Sequence, residues 1–192
     1  MNTFDQLRRE HDLIRLMLGV LGTMCDQAAK GRPVPAEDFE SALEFFDAFV
    51  DQCHHAKEEL HLFAALEGTD AARPGGQVGP LLAEHKLSRE YIKRMTRQAV
   101  RCAKGERAAC KRLGDNVRLY AILMDKHIRA EEEVLFPLAQ RHLGVKGQAD
   151  LVDAFAVFDQ ERTGLARHQE FHDLAESLRR LYPPISQGQQ GN

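Results

Sequence analysis

The chain has 192 residues, of which 43% are hydrophobic and 29% are charged, a composition that favours one soluble domain with a sizeable core. Its 26 Lys and Arg against 29 Asp and Glu give a formal net charge of −3, which argues against nucleic-acid binding because phosphate contacts need a concentrated basic surface. No apolar run approaches the ~20 residues of a membrane-spanning helix, and the polar start MNTFDQLRREHD is unlike a secretory signal, so we expect a cytoplasmic protein with no membrane contact.

Apolar residues recur at steps of three and four along most of the chain, which predicts helices rather than strands. The predicted helical stretches are 3–30, 36–66, 80–104, 106–142 and 148–181. The pattern favours an all-α fold, with an antiparallel up-and-down four-helix bundle over residues 1–145. An additional C-terminal helix, within 146–182, is expected to pack on that bundle. The polar tail 183–192 is expected to be disordered.

The cysteines form no C-x2-C pair, so neither a thiolate zinc site nor a thioredoxin-like motif is indicated. In a reducing cytosol the simplest expectation is free, partly buried thiols. The four cysteines are Cys25, Cys53, Cys102 and Cys110.

Six polar residues interrupt the apolar faces of the first four predicted helices. They are His11, His54, Glu58, His85, His127 and Glu131. A buried carboxylate without a partner costs several kcal/mol, so two carboxylates beside four imidazoles need a compensating cation. One or two metal ions meet that need, whereas a lone histidine or a single H-x3-E pair is more commonly a satisfied core residue or a surface pair.

The spacing of these residues favours the metal interpretation, because the pattern occurs twice. His54 and Glu58 lie at i and i+4, as do His127 and Glu131, which places each pair on one helix face. His85 follows His11 by 74 residues, and His127 follows His54 by 73. Each half thus offers two imidazoles and one carboxylate, enough for two metal ions bridged by both carboxylates around a pseudo-two-fold axis. Iron suits this nitrogen and oxygen set best, with manganese and zinc as alternatives.

A bundle with this order of ligands resembles the hemerythrin-like (HHE cation-binding) family. The strings CHHAKEELHLF and KHIRAEEEVLFPLA are similar to its most recognisable stretches, and the resemblance covers residues 1–145. The segment FAVFDQERTGLARHQEFHDLAESL is similar to the extra helix of many bacterial homologues. The resemblance implies a non-haem di-iron centre held by the six residues named above.

The sequence departs from the oxygen-carrying members at two positions. Arg89 stands where they have a fifth histidine, one turn after His85. Their last motif is H-x4-D, whereas here Glu131 follows His127 in an H-x3-E spacing, with Glu132 next. One fewer histidine leaves more metal positions to water, a further carboxylate or an added ligand. This disfavours simple oxygen carriage and favours peroxide or nitric oxide chemistry, redox sensing or iron handling.

Neighbouring residues offer further ligands. His55 and Glu59 repeat the i,i+4 spacing one residue on, but they point about 100° away from the apolar stripe and are expected to form a solvated pair, with an extra ligand as the alternative. Glu132 and Tyr91 are alternative supplementary ligands.

Other polar residues near the motifs have predicted supporting roles. Glu10 and Glu84 are candidates to orient imidazoles as hydrogen-bond acceptors. His168 and His172 lie outside the repeat, where a packing or surface role is favoured over metal binding. Arg89 is expected to pair with a surface carboxylate, the alternative being a role beside the metal centre.

Three functions fit this set of residues. The first is a protein that binds or senses oxygen, peroxide or nitric oxide. The alternatives are a di-iron oxidoreductase of peroxidase or oxidase type, which would need an external electron donor, and an iron store or donor. A ferritin-like centre expects two Glu-x-x-His motifs, and only Glu58 to His61 matches one. The sequence does not decide between binder and enzyme, or the oligomeric state.

Overall fold

The structure is a computed structural model that describes residues 3–162 and 164–184, and within them it is helical with no strand. Helix α2 denotes the continuous stretch 36–65, which starts as Ala36–Glu44 and contains the π-helical turns Phe45–His55 and Glu58–Phe63. The other elements are α1 Asp5–Ala29, α3 Val78–Ala103, α4 Arg107–Ala130, a π-helical turn Glu131–Leu135, α5 Phe136–Arg162 and α6 Leu165–Leu181. The first four predicted helices therefore lie where periodicity placed them, within a few residues.

The predicted helix 148–181 is wrong as a single element, because the structure divides it between α5 and α6. Gly164 separates them with φ 73°, a left-handed conformation that no helix interior adopts. Gly144, with φ 58° and ψ −176°, interrupts the helical path within α5. The spacing of apolar residues did not reveal the break at Gly164, because this single glycine stands between two stretches that both have helical spacing.

Helices α1 to α4 pack around a shared interior, with α1 and α3 each in contact with both α2 and α4. One large apolar cluster includes Met17, Phe46, Met95 and Tyr120, one from each of these helices. A second, smaller cluster contains residues such as Phe4, Leu62, Leu81 and Phe136. Along α1, α2 and α3, the predicted ligand residues lie between the stretches that supply the two clusters, and at the end of α4 they lie where one cluster gives way to the other. The polar layer is thus enclosed by apolar layers at both ends.

Helix α6 covers the large cluster from outside, where it contacts α1 and α2. Phe171 and Leu178 of α6 are buried in that cluster. Just after the helix, the carbonyl of Pro183 accepts a hydrogen bond from Thr23 of α1 (3.1 Å). Residues 185–192 of the predicted disordered tail lie outside the described residues.

The expectation of four free thiols is wrong for two of them. Cys102 and Cys110 form a disulfide with Cα atoms 4.6 Å apart. The short connection between α3 and α4 turns the chain back on itself, so the end of one helix faces the start of the next and brings two cysteines eight residues apart into bonding range. Cys25 and Cys53 are buried and are not disulfide-bonded.

No helix in residues 3–162 and 164–184 is long and apolar enough to cross a bilayer.

Candidate metal centre

Both H-x3-E motifs lie at π-helical turns. Glu58 begins the turn Glu58–Phe63, and Glu131 begins the turn Glu131–Leu135. A π-helical turn takes in more residues than the 3.6 of an α-helical turn, and such turns occur frequently at functional sites. The local widening changes which side chains face the interior around each carboxylate.

The structure brings the six predicted ligand residues together in the polar layer, and each is at most 1% exposed. They form two groups of four, and the candidate ligand atoms of each group lie within 4.8 Å of one another. Both groups contain Glu58 and Glu131, which they share. The first group adds His11 and His54, and the second adds His85 and His127.

Glu58 lies between the two groups, with one oxygen directed to each. Its Oε1 is 3.5 Å from Nε2 of His54, and its Oε2 is 3.4 Å from Nε2 of His85. A carboxylate oriented in this way can bridge two cations, because each oxygen offers a lone pair to a different one.

Glu131 repeats this arrangement from the opposite side. Its Oε2 is 3.2 Å from Nε2 of His11, and its Oε1 is 3.4 Å from Nε2 of His127. The nitrogen–oxygen distances are thus similar in the two halves, between 3.2 and 3.5 Å, and the pseudo-two-fold axis stays a prediction of the sequence repeat. The arrangement therefore offers two nitrogen and two oxygen atoms to each of two cations.

Several of these buried atoms have no hydrogen-bond partner among the described residues. They are both carboxylate oxygens of Glu58 and Glu131 and Nε2 of His11 and His54. A buried polar atom without a partner costs about 1–3 kcal/mol, and more when it is charged. Two buried carboxylates that face imidazole nitrogens are thus the donor set that a metal cation satisfies.

Two of the imidazoles are held from behind by the residues predicted to orient them. Nδ1 of His54 lies 2.8 Å from Glu10, and Nδ1 of His127 lies 3.1 Å from Glu84. Each carboxylate thus holds the histidine of a neighbouring helix rather than the one beside it in sequence. An Nδ1–H that donates to a carboxylate leaves Nε2 as the lone-pair atom towards the centre.

Sequence reasoning missed the equivalent partners of the other two imidazoles. Nδ1 of His85 lies 2.8 Å from Glu59, and Nδ1 of His11 lies 2.8 Å from Glu132. The hydrogen bond to His85 lowers the pKa of Glu59 to about 2, and the hydrogen bond to His11 does the same for Glu132. The available signal was their position, since each directly follows one of the two central glutamates, Glu58 and Glu131. Glu132, which the sequence offered as an alternative supplementary ligand, contacts the outer nitrogen of His11.

Burial would lower the pKa of His11, but the carboxylate of Glu131, 3.2 Å from its Nε2, and the hydrogen bond between its Nδ1 and Glu132 raise it to about 9. Glu58 and Glu59 act in the same way on His85, whose pKa also rises to about 9 against the effect of burial. Without a metal, protons on these imidazoles therefore balance the buried carboxylates.

The four outer carboxylates each have a basic partner. The pairs are Lys57–Glu10, Lys126–Glu84, Arg15–Glu132 and Arg89–Glu59. Arg89 also contacts Asp51, at 2.6 Å. Its guanidinium thus lies behind Glu59, the carboxylate that orients His85, rather than against the centre. One of the carboxylates that pair with Arg89 is therefore also the hydrogen-bond partner of a predicted ligand histidine.

Lys57 is unusual among these cations because it is fully buried. Its Nζ lies 2.5 Å from Glu10 and 2.7 Å from Asp159 of α5. Burial would raise the pKa of Glu10, but the hydrogen bond to His54 and the charge of Lys57 hold it well below its usual range. This chain of contacts connects α5 to the back of the first imidazole pair.

The expectation of a solvated His55–Glu59 pair is wrong. His55 is fully buried and its ring stacks on that of His85, with centroids 4.0 Å apart. Glu59 pairs with His85 and Arg89 instead. The reason is the π-helical turn Phe45–His55, because the wider turn brings the side chains of both His54 and His55 to the interior.

The remaining candidates lie away from the two groups. Tyr91 packs against the ring of Tyr120, and His172 is exposed. His168 belongs to a separate group in which Nε2 lies 3.6 Å from Sγ of Cys53, whose thiol also donates to Asp159 (3.7 Å).

The fold and this layer define an all-helical protein whose buried His and Glu side chains can hold metal ions. The family model for the hemerythrin HHE cation binding domain matches residues 2–139, and the chain belongs to that family. Uncharacterized proteins of Mycobacterium tuberculosis and Mycobacterium bovis are 24% identical over 176 residues, which cover 91% of this chain and 68% of theirs. No solved structure matches the chain at a significant level.

Proposed function

We propose that this protein is a non-haem di-iron protein that binds or senses oxygen, peroxide or nitric oxide. In this proposal α1 to α4 form an antiparallel up-and-down bundle. His11 and His54 hold one ion, His85 and His127 hold the other, and Glu58 and Glu131 bridge them. The observation that supports it most strongly is the orientation of the two glutamates, each with one oxygen directed to either half.

Iron is the metal favoured by this donor set, since imidazole and carboxylate ligands without thiolate suit iron and manganese, with zinc as a further alternative. A bound iron pair would supply redox electrons and open positions for a small diatomic ligand or peroxide. The residues of this chain keep four Nε2 atoms directed inwards, through carboxylates on every Nδ1. The apolar layers on both sides limit water around the centre.

A di-iron oxidoreductase and an iron store or donor are the alternative functions. An oxidoreductase would draw electrons from an external donor. The enclosed, fixed set of ligands supports a resident pair of ions more than a store, which would have to accept and release iron repeatedly.

The test is metal analysis of protein purified from iron-replete cells, followed by anaerobic reduction and stopped-flow mixing with oxygen, peroxide and nitric oxide. We expect about two iron atoms per chain and a visible spectrum that changes once with each reagent. Repeated turnover with an added electron donor would favour the oxidoreductase, and uptake well beyond two irons would favour the store. Stoichiometric zinc, or no metal, would contradict the proposal.

A further inference from the structure

His55 is a buried histidine whose environment in the described residues does not satisfy it. Its side chain is 0% exposed, and neither ring nitrogen has a hydrogen-bond partner among the described residues. Its contact with Asp51 is 3.7 Å, too long for a hydrogen bond, and Arg89 holds the same carboxylate oxygen at 2.6 Å. Leaving a donor and an acceptor unsatisfied in the interior is energetically costly, so a core-packing role alone accounts poorly for an imidazole here.

The ring lies against one half of the centre. His55 stacks on His85, and its centroid is 5.6 Å from that of His127. Candidate ligand atoms of these three histidines lie within 4.8 Å of one another, the same range that joins His85 and His127 to the two bridging glutamates.

The other half of the centre has no counterpart to this imidazole. His54 corresponds to His127 in the repeat, so His55 corresponds to Ile128. Ile128 is also fully buried. The two halves, alike in their other ligands, thus differ by an imidazole at one position and an aliphatic side chain at the other.

We propose that His55 is a third imidazole ligand of the ion held by His85 and His127. The assignment rests on the proposed di-iron function and makes the centre unsymmetrical, with three nitrogen and two oxygen ligands on one ion and two of each on the other. The ion held by His11 and His54 then has more open positions.

The first test uses Co²⁺ as the probe, added to the metal-free protein. Proton NMR of the Co²⁺-loaded wild type counts ligand imidazoles directly, because each buried ring N–H next to Co²⁺ gives a strongly shifted signal that exchanges slowly with water. We expect five such signals. Four signals from protein that holds two Co²⁺ ions would overturn the assignment of His55 alone, whereas a wild type that binds no Co²⁺ pair would overturn the di-iron function as well.

The second test is His55→Ile, which copies the residue at position 128. We expect the count to fall to four and the affinity of one Co²⁺ site to fall by at least about tenfold, since even loss of a partner behind a ligand costs 10–100-fold. The second site should keep its affinity. The exposed His172→Ile is the matched control and should keep five signals and both affinities. Unchanged affinities in a His55→Ile protein that keeps its helical circular dichroism would overturn the proposal, and the wild-type count decides it if the variant does not fold.

Discussion

Replacing Glu10 by Gln should show how much the outer carboxylates contribute. Glu10 is only 4% exposed, holds Nδ1 of His54 at 2.8 Å and contacts Nζ of Lys57 at 2.5 Å. The amide keeps the size of the side chain and removes its charge. The change therefore weakens the hydrogen bond that orients His54 and leaves Lys57 with Asp159 as its remaining carboxylate.

Two effects follow, and both can be sized. Loss of a carboxylate behind a metal-bound imidazole costs 10–100-fold in metal affinity, or about 1.4–2.7 kcal/mol. Removing one partner of a buried ion pair costs about 3–5 kcal/mol of unfolding free energy, and since Asp159 still contacts Lys57 we expect the lower end, about 3 kcal/mol. For a chain of this size that corresponds to a fall of about 6–12 °C in the Tm of the metal-free protein.

Glu84→Gln is the matched control, because Glu84 holds His127 in the same way but pairs with Lys126, whose side chain is 76% exposed. Its metal affinity should fall by a similar factor, while its metal-free stability should change by less than about 1 kcal/mol. Thermal unfolding of the metal-free proteins and anaerobic Fe²⁺ titration against a chelator measure the two quantities. Equal losses of Tm in both variants, or full iron affinity in Glu10→Gln, would refute this reasoning.

Three further outcomes are expected. His54→Ala should lose metal from one half of the centre and lower the Tm of the metal-loaded protein, because bound metal stabilises the native state. The control His172→Ala changes an exposed residue and should alter neither metal content nor Tm. Equal metal loss in both variants would mean that α6 supplies a ligand. Arg89→Leu should weaken metal binding through Glu59 and leave the rate of reaction with peroxide unchanged in metal-loaded protein, and a large fall in that rate would place the guanidinium at the reacting centre. In the metal-free protein, the pKa of Glu59 is lowered to about 2, so its ionised carboxylate stabilises the fold fully above pH 4.5 and this stabilisation is lost as the pH falls towards 2. The pKa of His11 is raised to about 9, so its protonated imidazole stabilises the fold fully below pH 6.5 and this stabilisation is lost as the pH rises through 9. The metal-free Tm should therefore be highest between pH 4.5 and 6.5, and a maximum above pH 8 in a pH series would contradict the assignment.

Periodicity by itself located the first four helices and selected the six residues of the polar layer. It did so because local spacing decides which residues share the buried face of a helix. Burying a carboxylate such as Glu58 or Glu131 on an apolar face costs several kcal/mol, so such a residue indicates a compensating partner. The duplication at offsets of 74 and 73 residues then predicted a two-fold arrangement. That these residues ligate metal stays a prediction, which the geometry supports.

The partners behind the imidazoles were decided only by the tertiary structure. Glu132 and His11 are 121 residues apart, and their contact depends on how α1 lies against the π-helical turn that follows α4. The same holds for Cys102 and Cys110, whose bond depends on the turn between the end of α3 and the start of α4 rather than on a motif. Spacing along one helix shows which face a residue occupies, and it carries no information on the axial offset of the next helix.

His55 shows most clearly where local reasoning ended. An α-helical wheel turns it away from the core, and that inference is correct for a helix of 3.6 residues per turn. The turn Phe45–His55 is π-helical, which the one-dimensional pattern does not reveal, and the widened turn places both His54 and His55 inside. The sequence determined the helices and the chemistry of their buried stripe. Tertiary packing determined the register between helices, since it depends on contacts between segments distant in the chain, and only the structure revealed the local π-helical geometry.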